Sequence, residues 1–309
     1  MINIKLTGME LLCEAEGDSL TIKESQGDTV NLTIPEKVDY EGKTFNITKI
    51  EKKAFLGKKN LKELHINAPV SFVGDWAFSQ CTHLKRLYFK NSDDSLFFGR
   101  AVFEGCERMQ AISVGEMDQG ISLLLGSCVN RFNGGFLIKD SDIGSEAWCL
   151  KYDLALLNFL SQSDFEGYSD RALCGEEDIS YDEIGSIDGE MSGEDLSYVL
   201  SVGKNKCYLC FLRLMNDIYL KSDSREKLEV YIKSRAFGEK TPTAWLSLKE
   251  FFFDKLEFFK LYMDLIKPDR DCINSMIKDL GEELFEARAF LIEAGTPSEK
   301  DAFFDDLML

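Results

Sequence analysis

Between Ile50 and Val114 the apolar positions fall into one pattern written three times. In the first copy Ile50 is followed by Ala54-Phe55 and then by Leu61, Leu64 and Ile66. The second places Val73, Ala77-Phe78, Leu84, Leu87 and Phe89 at matching intervals, and the third Phe98, Val102-Phe103, Met109, Ile112 and Val114. Leu64 and Ile66 lie two apart, so both point to one face of a short strand, and Leu61 enters from the turn before it. One such unit cannot bury its apolar face alone, which predicts stacked coils whose strands pair in a parallel ladder. The Ala-Phe pair supplies the opposite wall. Cys81 and Cys106 follow Ala77 and Val102 by four residues, where the first copy has Lys58, and both read as packing residues.

Either side of this core the pattern changes. Residues 1–48 alternate as strands, with Leu20 to Ile22 and Val30 to Ile34 the clearest, and Pro35 ends the second. A turn at Tyr40-Glu41-Gly42-Lys43 leads into Thr44 to Ile47, and the whole segment reads as an N-terminal β cap. From Gly115 to Leu150 the register is lost. Ile121 to Leu125 and Phe136 to Ile138 read as strands of a degenerate fourth coil around the Asn133-Gly134-Gly135 turn. Helical periodicity begins near Ser145 and runs to about Ser161, with Leu150, Leu154, Leu157 and Leu160 as its expected apolar stripe. Residues 164–195 hold 12 Asp or Glu against the single Arg171 and are punctuated by glycine, which reads as a solvated connector.

Beyond the connector the expectation is helices throughout: 196–200, 206–220, 225–237, 244–253, 255–266, 271–280, 282–294 and 299–307. The expected breaks are at Gly203, Ser222-Asp223-Ser224, Gly238, Pro242, Pro268, Gly281, Gly295 and Pro297. The fold class expected is therefore α+β: a short right-handed solenoid with parallel strands and an N-terminal β cap, then an all-helical domain of paired helices. The divisions expected are 1–150 for the repeats and cap, 151–195 for a helix and the acidic connector, and 196–309 for the helical domain.

A period of 20 to 29 residues carrying Leu-x-x-Leu-x-Ile is the mark of leucine-rich repeats. The phrases "ITKIEKKAFLGKKNLKELHI", "VGDWAFSQCTHLKRLYF" and "FGRAVFEGCERMQAISV" resemble the BspA-like leucine-rich repeats of bacteria. The lead-in "LTIPEKVDYEGKTFNITKI" is similar to the β-hairpin that opens such arrays. This resemblance covers about residues 28–115 and implies a repeat solenoid, with surface adhesion among the family's roles. Near the C-terminus "FFKLYMDLIKPDRDCINSMI" resembles the helix-turn-helix of ankyrin-type repeats, and "ARAFLIEAGTPSEKDAFF" repeats it loosely, without the Thr-Pro-Leu-His turn.

Composition narrows the function classes. The 309 residues carry a formal net charge of -18, which disfavours nucleic acid and anionic membrane surfaces as partners. No stretch reaches the roughly 18 apolar residues a spanning helix needs, and the N-terminus lacks the apolar core of a secretory signal. Nine cysteines, an odd number set mostly among apolar neighbours, suit a reducing cytoplasm better than a disulfide framework. The expected compartment is the cytoplasm, the alternative being the cell surface if a signal has been removed.

Few residues carry chemistry. Cys207 and Cys210 form a CxxC, but inside a helical run and without a second pair or a neighbouring histidine, so helical packing is the better reading. Gly42-Lys43-Thr44 lacks the earlier glycine of a phosphate loop, since position 37 is Lys37. The two histidines, His65 and His83, stand near no nucleophile motif. No catalytic, cofactor or metal site is expected. The outward residues of the repeat strands do form a patch, centred on Tyr88 with Arg86 and Lys90, joined by Glu63, His65 and Ser113. Tyr and Arg are enriched where binding energy concentrates, so this face is the candidate partner-binding site. Its cations point to a partner carrying carboxylates. The function expected is a non-enzymatic protein-interaction module. The alternatives are an exported adhesin, or an enzyme with a site assembled in the helical domain.

Overall fold

A computed structural model of the chain describes residues 1–90, 96–129, 131–132, 134–139, 142–164 and 193–295. They form two compact units, Met1–Phe159 with Asn216–Leu220, and Leu160–Met215 with Lys221–Leu309. The described part of the first is a parallel β-solenoid and its caps; that of the second is helical.

Eleven strands build the solenoid among the described residues: β1 (Ile2–Leu6), β2 (Met9–Glu16), β3 (Ser19–Gly27), β4 (Asn31–Ile34), β5 (Lys37–Tyr40), β6 (Lys43–Ile50), β7 (Glu63–Ile66), β8 (Phe72–Val73), β9 (Arg86–Phe89), β10 (Phe97–Phe98) and β11 (Ala111–Val114). Strands β4, β7, β9 and β11 pair in parallel as one sheet, and β3, β6, β8 and β10 pair in parallel within the other. Each coil contributes one strand to each sheet. The first coil is therefore β3 and β4, in register with the rest: Leu32, Leu64, Leu87 and Ile112 stack as one column, and Ile34, Ile66, Phe89 and Val114 as the next. All are buried but Val114, which is half-buried. The fourth coil thus stands at the N-terminal end of the array, within the segment read from sequence as cap. Only β1, β2 and β5 lie outside the coil pattern; β1 and β2 extend the second sheet antiparallel past β3, and β5 pairs with β6 as the expected hairpin.

The turns between the sheets repeat as faithfully as the strands. Phe55, Phe78 and Phe103 stack in a column, with ring centroids 5.3 Å and 5.8 Å apart. Phe55 N–H donates to the Ala77 carbonyl and Phe78 N–H to that of Val102, so each coil is bonded to the next through the Ala-Phe anchor. Lys53, Trp76 and Ala101, each just before the anchor, all have left-handed φ, as do Gly57, Gln80 and Gly105 four residues on. The Cys81 thiol donates to the Phe55 carbonyl and the Cys106 thiol to that of Phe78, each at 3.1 Å. At the equivalent place Lys58 Nζ reaches the Gly27 carbonyl in the coil before it. Apolar packing at Cys81 and Cys106 is thus joined by a bond along the stack.

Residues 115–150 differ from the sequence reading. Gln119–Ser127 is a helix, α1, and Leu137–Lys139 a turn of 3-10 helix; neither is a strand. Asp118 caps α1 by accepting from the Gly120 and Ile121 N–H groups. Gly126 lets α1 lie against β11: a Cβ there would stand 2.5 Å from the Gln110 and Ala111 backbone. A helix and not a fourth coil therefore closes this end. Next, α2 spans Glu146–Ser161, as the periodicity predicts, but its buried face is Trp148, Cys149, Tyr152, Asp153 and Leu156. Leu150 and Leu154 are exposed, so the expected stripe faces the wrong way. The aromatic residues decided it: Tyr152 packs edge-on to Phe132 and against Trp148, and its hydroxyl meets Ser127 Oγ at 2.8 Å.

The second unit holds α3 (Gly193–Met215), α4 (Ser222–Lys233), α5 (Thr243–Phe251), α6 (Leu256–Ile266), α7 (Arg270–Leu280) and α8 (Phe285–Gly295). Helix α3 runs unbroken through Gly203, where a helix break was expected. The glycine serves helix packing, since a Cβ would meet the Thr243 side chain of α5 at 2.8 Å. Trp245 sits at the centre of this core, against Phe237, Phe259 and Tyr262. Of the acidic connector expected over 164–195, residues 193–195 open α3 instead, while 165–192 lie outside the described residues, as does the helix expected over 299–307.

Candidate interaction surface

The parallel ladder fixes what the outward face presents. Because β4, β7, β9 and β11 pair in register, Asn31, Glu63, Arg86 and Ala111 form one outward column, and Thr33, His65, Tyr88 and Ser113 the next. All six residues singled out from sequence, Glu63, His65, Arg86, Tyr88, Lys90 and Ser113, stand on this face. His65, Arg86 and Lys90 are exposed, while Glu63 and Tyr88 are half-buried. The His65 and Tyr88 rings lie side by side with centroids 5.8 Å apart.

Two features of the patch differ from the expectation. Ser113 is half-buried, and its hydroxyl is engaged with Ser122 Oγ of α1 at 2.7 Å. The third coil therefore offers less of this column than the first two. The cations are also not free. Arg86 Nη1 lies 2.9 Å from Glu63 Oε1 and Lys90 Nζ 3.2 Å from Glu36 Oε2. Exposed pairs of this kind contribute at most about 1 kcal/mol to stability, yet they cancel much of the charge that an acidic partner would feel.

In the turns that follow the second sheet lies a residue the sequence reading passes over. Trp76, in the turn before its Ala-Phe anchor, is half-buried between two cations from neighbouring coils. Lys53 Nζ stands 5.7 Å and the Arg100 guanidinium 5.5 Å from the ring, and its Nε1 donates to Glu104 Oε2 at 3.2 Å. Arg100 in turn grips Asp75, whose carboxyl its backbone N–H and guanidinium hold below the usual carboxylate range. The signal was a Trp where the other copies have Lys53 and Ala101. It reads as a staple along the turns, since cations from the coils before and after it both stand within about 6 Å of the ring.

The cysteines are placed for packing. Cys207 and Cys210 are fully buried within α3. Burial pushes Cys207 up to about 12 and Cys210 well above its ordinary value. Cys13 and Cys128 are likewise pushed up to about 12 by burial. Thiols held protonated in this way are poor nucleophiles and poor metal ligands at neutral pH. Among the described residues no three or more His, Cys, Asp or Glu side chains converge to hold a metal ion. No helix there is long and apolar enough to cross a membrane.

The repeat register is also what a known family describes. Residues 31–123 match the BspA type leucine rich repeat region, in six copies. This part of the chain is a BspA-type repeat array. The match begins at β4, the first strand of the outward sheet, and ends within α1. It lends no support to the ankyrin-type likeness of the C-terminal helices. Among solved structures, a leucine rich cell surface protein from Faecalibacterium prausnitzii A2-165 is similar at 24% identity, with a TM-score of 0.31. The similarity covers 37% of this chain and 30% of that one, so this chain accounts for under a third of that protein's length. No curated protein matches the chain.

Proposed function

We propose that the protein is a non-enzymatic interaction module that binds a protein partner through the outward face of its repeat sheet. One observation carries the reading: a registered ladder lines up Glu63 with Arg86 and His65 with Tyr88, with His65 and Arg86 exposed among the described residues. Rigid presentation of an aromatic and an Arg costs little ordering entropy on binding, which is what a docking surface needs. Tyr88 and His65 supply the contact area, and the Arg86–Glu63 and Lys90–Glu36 pairs fix the orientation of the polar rim. Nine cysteines, an odd number set mostly among apolar neighbours, support a reducing compartment over export.

The test is affinity capture from fractionated native cells, comparing the wild-type chain with the triple variant Arg86→Ala, Tyr88→Ala, Lys90→Ala. The expected outcome is one partner retained from the soluble intracellular fraction by the wild type and lost by the variant. Equal retention would move the recognition surface to the helices. A partner recovered only from the cell-surface fraction would select the adhesin reading instead.

A further inference from the structure

Around the corner from the strand face, where each turn runs into its strand, the chain builds a second surface. Leu61, Leu84 and Met109 point inward there and are buried. The residues on either side, Lys62, Lys85 and Arg108 among them, face out. The coils are tied together at this place by backbone bonds from Lys62 to Val30, Lys85 to Lys62 and Gln110 to Lys85, of 2.7, 2.8 and 2.8 Å. A shallow depression of about 510 Å³ runs along the corner, walled by Asp28, Val30, Asn60, Lys62, His83 and Arg108.

Its charge sets it apart. Lys59, Lys62 and Arg108 are exposed and Lys85 half-buried, and none of the four has a carboxylate partner among the described residues. One carboxylate lines the depression, Asp28, which accepts a hydrogen bond from Asn60, and Glu107 precedes Arg108 in the chain. The corner is thus a net positive spot on a chain of net charge -18. On the strand face, by contrast, Arg86 and Lys90 are already paired. A carboxylate ligand gains more where the cations are unpaired.

We propose that this corner docks an acidic peptide segment of the protein partner, with carboxylates on Lys62, Lys85 and Arg108 and an aliphatic side chain on Val30. The proposal deepens the interaction-module reading and rests on it. Val30 is 47% exposed, an aliphatic surface that a peptide side chain covers and a sugar or nucleotide chain does not. Bases stack on aromatic platforms, and the imidazole of His83 is the one ring lining the depression. The reach also fits. Three coil steps of about 4.8 Å make roughly 14 Å, which four or five extended residues cover.

The experiment is fluorescence anisotropy on the full chain at low salt. The probe is a labelled hexapeptide of four Glu and two Leu, compared with its Gln counterpart. The acidic peptide should bind and its Gln counterpart should not. Lys62→Gln, Lys85→Gln and Arg108→Gln together should weaken binding about tenfold or more, and added salt should weaken it further. Val30→Ser should weaken it without altering charge, and thermal melting should show every variant folded. The strand-face triple variant should bind the peptide as the wild type does. Equal binding of the acidic and Gln peptides, or an unchanged affinity in the corner variant, would overturn the proposal. So would binding of a sulfated oligosaccharide or an oligonucleotide at this corner in place of the peptide. Loss of the peptide in the strand-face variant alone would sink the corner assignment while leaving the interaction-module reading standing.

Discussion

Phe78 and Tyr88 lie ten residues apart in one coil and do opposite work. Phe78 is fully buried between Phe55 and Phe103, whereas Tyr88 is half-buried on the outward sheet beside His65. Emptying a core aromatic site costs about 3–5 kcal/mol, so Phe78→Ala should lower stability by that order. Tyr88→Ala, which leaves no enclosed cavity, should cost far less. Chemical denaturation of the two variants measures both, and equal destabilisation would mean the faces have been assigned the wrong way round. The inward residues were legible because Leu64, Ile66, Phe78 and their equivalents recur at fixed spacings. What spacing could not show was pairing. Arg86 meets Glu63 within its own column, but Lys90 meets Glu36, 54 residues earlier in the chain, and no local pattern announces that. Trp76 was missed for a similar reason, since its two cations come from the coils before and after it.

Helix α1 shows where periodicity fails at the scale of an element. Ile121-Ser-Leu-Leu-Leu is a short apolar run, and such a run reads equally as a buried strand or a buried helix. The deciding signals were Asp118 as N-cap and the close approach at Gly126, and the second exists only once α1 meets β11. That contact gives a prediction with two opposing terms. Ala in place of a helical Gly gains about 1 kcal/mol of helix propensity, but forcing a methyl into a filled site typically costs about 1–3 kcal/mol. Here the obstacle is rigid backbone at 2.5 Å, so the cost should win and Gly126→Ala should lower the melting temperature. A higher melting temperature would mean that α1 does not lie this close to β11. Gly203 was misread in the same way: glycine weakens a helix alone but permits tight packing of α3 on Thr243. In α2 the leucine stripe misled because Trp148 and Tyr152 bury more area and brought their own face inward.

On the scale of the whole molecule, the repeat made the solenoid readable and the helical half readable only as helices. Stacking is dictated locally, because each coil needs the next, and so the parallel ladder follows from one coil's pattern. The first coil escaped because Leu20, Ile22, Leu32 and Ile34 carry the strand positions without an Ala-Phe anchor between them. The strand sheet is the surface on which the functional account depends. Its most direct test is amide hydrogen exchange on the full chain with and without the captured partner. The account predicts that protection on binding concentrates in residues 63–67 and 86–90. Protection confined to the helices between 193 and 295, with the strands exchanging as in the free protein, would contradict it.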